Sequence, residues 1–203
     1  MGVNSYIDKL NARCIYRHVM RKTQAMLYLD ALDLDSPSMK ICMQEYDRDA
    51  PPKGRVRKEI CTYIPLPAFL RLSHDVLTGV YLHERMQRRK APQSVNRPYF
   101  VAEGGSEREG KLLARRFTLV DNNYREDAFF AFASSEWDAN RGPFGKFIPI
   151  DERKPNMSLY LIMPNETLKE FVLVGKAYAE SYIQNDLNNR LKAIRDLRGQ
   201  EVL

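Results

Sequence analysis

Lysine and arginine gather in four short groups: Arg13, Arg17, Arg21 and Lys22; Lys53, Arg55, Arg57 and Lys58; Arg115 and Arg116; Arg153 and Lys154. Aromatic side chains lie among them, including Tyr16, Tyr63, Phe117, Trp137, Phe147 and Tyr160. Cations that track phosphates and rings that stack on unpaired bases are what a binder of single-stranded nucleic acid needs, each stacked base contributing about 1–3 kcal/mol. The 32 basic and 26 acidic residues leave a net charge of +6, a field that attracts polyanions. A plainer reading competes. Aromatics at alternate strand positions are usually core, and basic residues also keep edge strands from pairing with other chains. Phe130 and Phe132 share one strand face and Phe129 the other, so more weight falls on Trp137, Tyr124 and Phe144, which read as loop residues.

Catalytic chemistry finds little in the sequence. His18, His74 and His83 have no partner at metal-ligand spacing, and His83-Glu84 does not complete a zinc-protease motif. Ser73-His74-Asp75 lists triad residue types, but neighbours along a helix point apart and cannot form a relay. No phosphate-binding glycine loop and no nucleophile elbow is present. Asp30, Asp33 and Asp35 could hold a divalent ion as nuclease carboxylates do, or form a solvated turn. The expectation is a non-enzyme without cofactor. Cys14, Cys42 and Cys61 are odd in number and lack C-x-x-C spacing, so they read as core thiols of a reducing cytoplasm. No apolar run approaches a membrane span, and no targeting segment is expected.

The elements that must position these residues come in two matching series. Strand candidates Cys14–Met20, Gln24–Ala31 and Met39–Tyr46 lead to EICTYIP, ending at Pro65, and then to a helix over Leu66–His83. Candidates Arg116–Val120, Asp127–Ser134 and Lys146–Asp151 lead to SLYLIMP, ending at Pro164, and then to a helix from Asn165. Strand, strand, strand, strand, helix, used twice, points to an internal repeat. The expected division is a first ββββα repeat over 1–90, with a short helix at 4–12, a connector and hairpin over 91–112, and a second repeat over 113–203. EGGSEREG and Asp121-Asn122-Asn123 read as turns, and Asp138–Gly145 as a loop. Asn165 reads as the N-cap of the last helix, which continues through Leu187, Leu191, Ile194 and Leu197 at helical spacing.

Four antiparallel strands followed by a helix, used twice, resemble the Whirly, Pur-alpha and positive-coactivator-type superfamily of single-stranded nucleic-acid binders. KFIPIDERKPNMSLYLIMPNETLKEFVLVGKAYAESYIQ (146–184) looks like the end of a Pur repeat: strand, basic turn, apolar strand, amphipathic helix. The resemblance is architectural and covers residues 13–83 and 99–184. It implies an α+β pseudo-dimer whose antiparallel sheets pack around amphipathic helices and hold the nucleic acid on curved outer faces. Carried over, it points to Arg55, Arg57, Lys58, Lys146, Arg153 and Lys154 for phosphates and to Tyr63 and Tyr160 for stacking. The long connector and the helix beyond 184 depart from the pattern, and the latter suggests oligomerisation.

The expectation is thus a cytoplasmic, homo-oligomeric binder of single-stranded DNA or RNA with little sequence preference. Its contacts would be Arg17, Lys53, Arg55, Arg57, Lys58, Tyr63, Arg115, Arg116, Trp137, Lys146, Arg153, Lys154 and Tyr160. Two alternatives stay open: an interaction module using the last helix, and a metal-dependent nuclease.

Overall fold

A computed structural model of the chain describes residues 14–21, 23–30, 37–51, 54–90 and 97–200, with the side chains of Tyr124 and of residues 196–200 outside that description. The expected helix at 4–12, Arg13, Lys22, Asp33, Asp35, Lys53 and the connector over 91–96 lie outside the described residues.

The first sheet is an antiparallel meander of β1 (Cys14–Met20), β2 (Ala25–Asp30), β3 (Ser38–Tyr46) and β4 (Val56–Pro65). Two helices follow, α1 (Leu66–Leu77) and α2 (Val80–Lys90). The second sheet holds β5 (Phe100–Arg108), β6 (Lys111–Arg125), β7 (Ala128–Arg141), β8 (Phe147–Pro149) and β9 (Met157–Met163), and the long helix α3 (Asn165–Gln200) ends the chain. The far edge of β7 is shared: Phe130–Glu136 pairs with β9 and Ala139–Arg141 with β8. The protein is α+β, with two antiparallel sheets and helices on one common core. No described helix is long and apolar enough to cross a membrane.

Strand alternation sorts each sheet into an apolar inner face and a polar outer one. Leu27, Leu29, Ile41, Met43, Ile60 and Ile64 form the inner face of the first sheet; Phe117, Leu119, Phe130, Phe132, Leu159 and Leu161 form that of the second. All join one buried cluster with Phe69 and Leu72 of α1 and Leu168, Phe171 and Val172 of α3. The Phe171 ring meets Tyr16 of the first sheet, Phe69 of α1 and Phe132 of the second sheet, with centroids 5.7, 6.1 and 5.4 Å away. Burial and the neighbouring Glu170, to which it donates a hydrogen bond, push the Tyr16 hydroxyl up to about 12.

Several turns sit elsewhere than the sequence suggests. The predicted helix Leu66–His83 breaks at Thr78-Gly79, where Gly79 takes φ +77°, a left-handed conformation that glycine adopts without steric cost. The β5–β6 hairpin turns at Glu109-Gly110, and Gly104-Gly105 lie inside β5. Asn122 is not in a turn: it is buried in β6, and its amide donates to the Ala128 carbonyl at 2.5 Å. β7 continues through Asp138 to Arg141, and the strand expected over 146–151 is only Phe147–Pro149. Asn165 does not cap α3. Its Oδ1 accepts from the Phe129 backbone N–H at 2.9 Å, while Leu168 N–H donates to Pro164, so the side chain ties the helix start to β7.

Cys42 and Cys61 are not free thiols. They face each other across β3 and β4 and form a disulfide, which the lack of a C-x-x-C spacing could not reveal because cross-strand partners are set by register. Cys14 is free.

α3 crosses the core at Gly175. A Cβ there would come within 2.4 Å of Phe69 Cζ and 2.8 Å of Leu29 Cδ2. Gly175→Ala should therefore destabilise the protein by about 1–2 kcal/mol, overpacking outweighing the gain in helix propensity, as read by urea denaturation. His18 supplies a pH test. Burial lowers its imidazole pKa below the ordinary 6.5, against a smaller opposing pull from Glu170. Below the ordinary value the unfolded chain then binds the extra proton, so stability is full above it and falls as pH drops toward the folded value. The melting temperature should fall between neutral and mildly acid pH, and His18→Gln should flatten that fall.

Candidate nucleic-acid interface

The outer face of the second sheet is built in rows across its strands. One row is Val101, Thr118, Ala133 and Tyr160; the next is Glu103, Arg116, Ser135 and Ser158; the third is Gly105, Ala114 and Trp137. The floor is thus mostly small side chains, with large groups standing up at its edges. Tyr160 is 48% exposed, beside Ala133. The Arg116 guanidinium lies over the Trp137 ring, 5.4 Å from its centroid, and is held by Glu103 at 2.8 Å and Glu152 at 3.3 Å. The indole N–H donates to the Glu152 carbonyl at 3.2 Å.

Phe147 closes this end. It packs on Gly105, where a Cβ would come within 2.3 Å of its Cγ. A close approach of this kind explains a glycine within a strand. Trp137, Phe147, Arg116, Lys146 and Glu152 line a cleft of about 160 Å³. Lys146 stands on its rim. Arg153 and Lys154 follow in a turn fixed by Asp151, which accepts from their backbone N–H groups. The three side chains are exposed and make no ion pair among the described residues. Arg115 points differently: it is only 14% exposed and bound to Glu136 at 2.6 Å.

The first sheet's cations are more committed. Lys58 pairs with Glu45 at 2.9 Å, Arg57 binds Asp47, and Arg55 donates to the Ala50 carbonyl. The Asp49 backbone N–H and Arg57 hold the Asp47 carboxyl below its usual range. Tyr63 is 46% exposed on the outer face, opposite Lys40, which pairs with Asp30 at 3.3 Å. Tyr28 and Gln44 both donate to Glu59 on the same face, beside the disulfide. Burial, then Glu59, raises the Tyr28 hydroxyl pKa. Arg17 is exposed opposite Tyr28.

Comparison with family models, curated proteins and solved structures finds no match.

The structure brings Arg116, Trp137 and Lys146 to one cleft and leaves Arg55, Arg57 and Lys58 at the far hairpin of the first sheet. Trp137 is not a loop residue: it lies in β7 and is 5% exposed, so it forms a wall rather than a free stacking platform. Tyr124 lies in β6, and Phe144 stands fully exposed on the turn after β7, at φ +56°. Glu103, Glu152 and Gly105 were missed, and Phe147 was named only as one aromatic among many; Gly-Gly in an alternating stretch was the available signal for a close approach. Asp30 pairs with Lys40, and Asp33 and Asp35, its companions in the metal reading, lie outside the described residues. Among the described residues, Cys42, Glu59 and Cys61 bring possible ligand atoms within 4.8 Å of one another, but the two sulfurs are bonded together. Ser73 is buried and donates to the Phe69 carbonyl, while His74 is exposed, so no relay forms.

Trp137 is the chain's single tryptophan, which gives the cleft its own reporter. Its emission should be blue-shifted and weakly quenched by acrylamide. Gly105→Val, which cannot coexist with the Phe147 ring in place, should raise the quenching constant; unchanged quenching would contradict the packing described.

Proposed function

We propose that this protein binds single-stranded DNA or RNA, with little sequence preference, across the outer face of its second sheet, with the first sheet's Tyr63 face as a weaker extension. One observation carries the reading: a small-residue floor lies between the exposed Tyr160 ring and the Arg116–Trp137–Phe147 cleft, with Lys146, Arg153 and Lys154 free to meet phosphates. Unpaired bases can lie on such a floor and stack against a ring, whereas a duplex hides its base faces.

The reading extends to the fold. The two halves are copies of one ββββα unit, paired as a pseudo-dimer in the manner of the Whirly, Pur-alpha and coactivator-type binders. Its support is an antiparallel sheet in each half that ends in a strand, a proline and a helix, with an exposed tyrosine on the outer face of that last strand. The second sheet has five strands to the first sheet's four: β5 precedes the repeat as read from the sequence, and β8 and β9 both pair with β7.

The test is fluorescence anisotropy of a labelled oligo-dT and its duplex at two salt concentrations. The single strand should bind more tightly, and log affinity should fall against log salt with a slope of about −2, as expected for three phosphate contacts. Lys146→Glu with Lys154→Glu should weaken binding and flatten that slope. Tyr160→Ala should cost about 1–3 kcal/mol, the worth of one stacked base. Equal affinity for the duplex, or no response to salt, sinks the proposal.

A further inference from the structure

α3 has 36 residues, but only its first half belongs to the body of the protein. Leu168, Phe171, Val172 and Ala179 are buried; from Ile183 to Arg195 every residue is exposed except the part-covered Asp186. At 1.5 Å per residue, the helix from Ile183 to its end reaches roughly 27 Å. Along it Ile183, Leu187, Leu191 and Ile194 are 43%, 48%, 44% and 47% exposed. Their spacing of four, four and three residues confines them to an arc of roughly 80° at 100° per residue. Such a segment does not hold itself together. Asn185, Asn188 and Asn189 are poor helix formers, and a helix of this length alone in water is marginal.

We propose that this segment is where two copies of the chain pair, antiparallel, through a self-complementary helix–helix contact. The occupant is argued from charge. Glu180 lies on the line of the apolar stripe, one turn before it begins, and Arg190 and Arg195 flank its far half. The stripe is therefore acidic where it leaves the body and basic toward its end. Antiparallel pairing sets Ile183 against the second copy's Ile194 and Leu187 beside the second copy's Leu191. It also brings Glu180 within about 3 Å, along the axis, of the second copy's Arg195. Parallel pairing would set Glu180 against its own copy. In the single chain Glu180 bonds Lys176 and Arg190 bonds Asp186, both within the helix and more than 40% exposed on at least one side, so either can be exchanged at little cost. Arg195 has no ion-pair partner among the described residues. A two-fold contact of this kind closes on itself and stops at the dimer.

Sedimentation equilibrium of the whole chain tests it. The wild type should show a monomer–dimer equilibrium at micromolar concentration. Leu187→Glu with Leu191→Glu should weaken the dimer by about a hundredfold or more. Because both residues lie outside the core, the melting temperature of the body should stay within a few degrees. Glu180→Lys and Arg195→Glu should each weaken the dimer at low salt, and the two together should restore it. Lys146→Glu with Lys154→Glu, which impairs the proposed nucleic-acid face, should leave the dimer intact, so the two proposals fail separately. A wild type that stays monomeric, a dimer that survives the two leucine changes, or a charge swap without rescue overturns the inference; the first of these results assigns the stripe to a different protein.

Discussion

Gly175 lets α3 lie against α1 and the first sheet at ring-contact distance, and the two sheets share a core because it does. The hydrogen that stands where a Cβ would be makes room for the Phe69 ring and the Leu29 methyl. One turn earlier, Phe171 reaches Tyr16, Phe69 and Phe132 together. Each sheet has an apolar inner face that α3 must cover, and one helix covers both only if it sits this close. The glycine costs helix propensity, roughly 1 kcal/mol against alanine, and the aromatic contacts it permits offset that.

With both inner faces committed to the core, only the outer faces remain for recognition. There several of the cations are held by acids. Arg116 is clamped between two glutamates over an indole, and Arg57 and Lys58 each have an acid across the hairpin. Clamping fixes the guanidinium plane and gives the cleft a rigid wall. Lys146, Arg153 and Lys154, on the rim, make no ion pair among the described residues, and their long side chains can follow a flexible backbone without leaving a buried acid orphaned.

Much of the fold was legible because it is local. Period-two alternation marks β3, β4 and β9, Pro65 and Pro164 mark where strand gives way to helix, and the apolar spacing of α3 runs on past Tyr182. What was illegible depends on register and on partners distant in sequence. Asn122 looks like a turn residue until its amide is seen bonded to Ala128 inside a long strand. Gly105 looks like a hairpin glycine until Phe147 lies on it, and Cys42 and Cys61 meet only because β3 and β4 pair in one register. At the candidate site the basic groups could be picked out by type, but not their pairing state. That state is what separates Arg115, half-buried against Glu136, from Lys146 on the rim.

The order of synthesis gives the placement of α3 a further meaning. The first sheet is a run of consecutive hairpins, so its strands can pair as soon as they leave the ribosome. Its inner face of Leu27, Leu29, Ile41 and Met43 is sealed, however, by residues near 170, more than a hundred positions later. Throughout that interval α1, with Phe69 and Leu72, is available to cover part of this oily surface, but α3 is not. A pause in translation before Phe171 therefore lengthens the growing chain's exposure to aggregation.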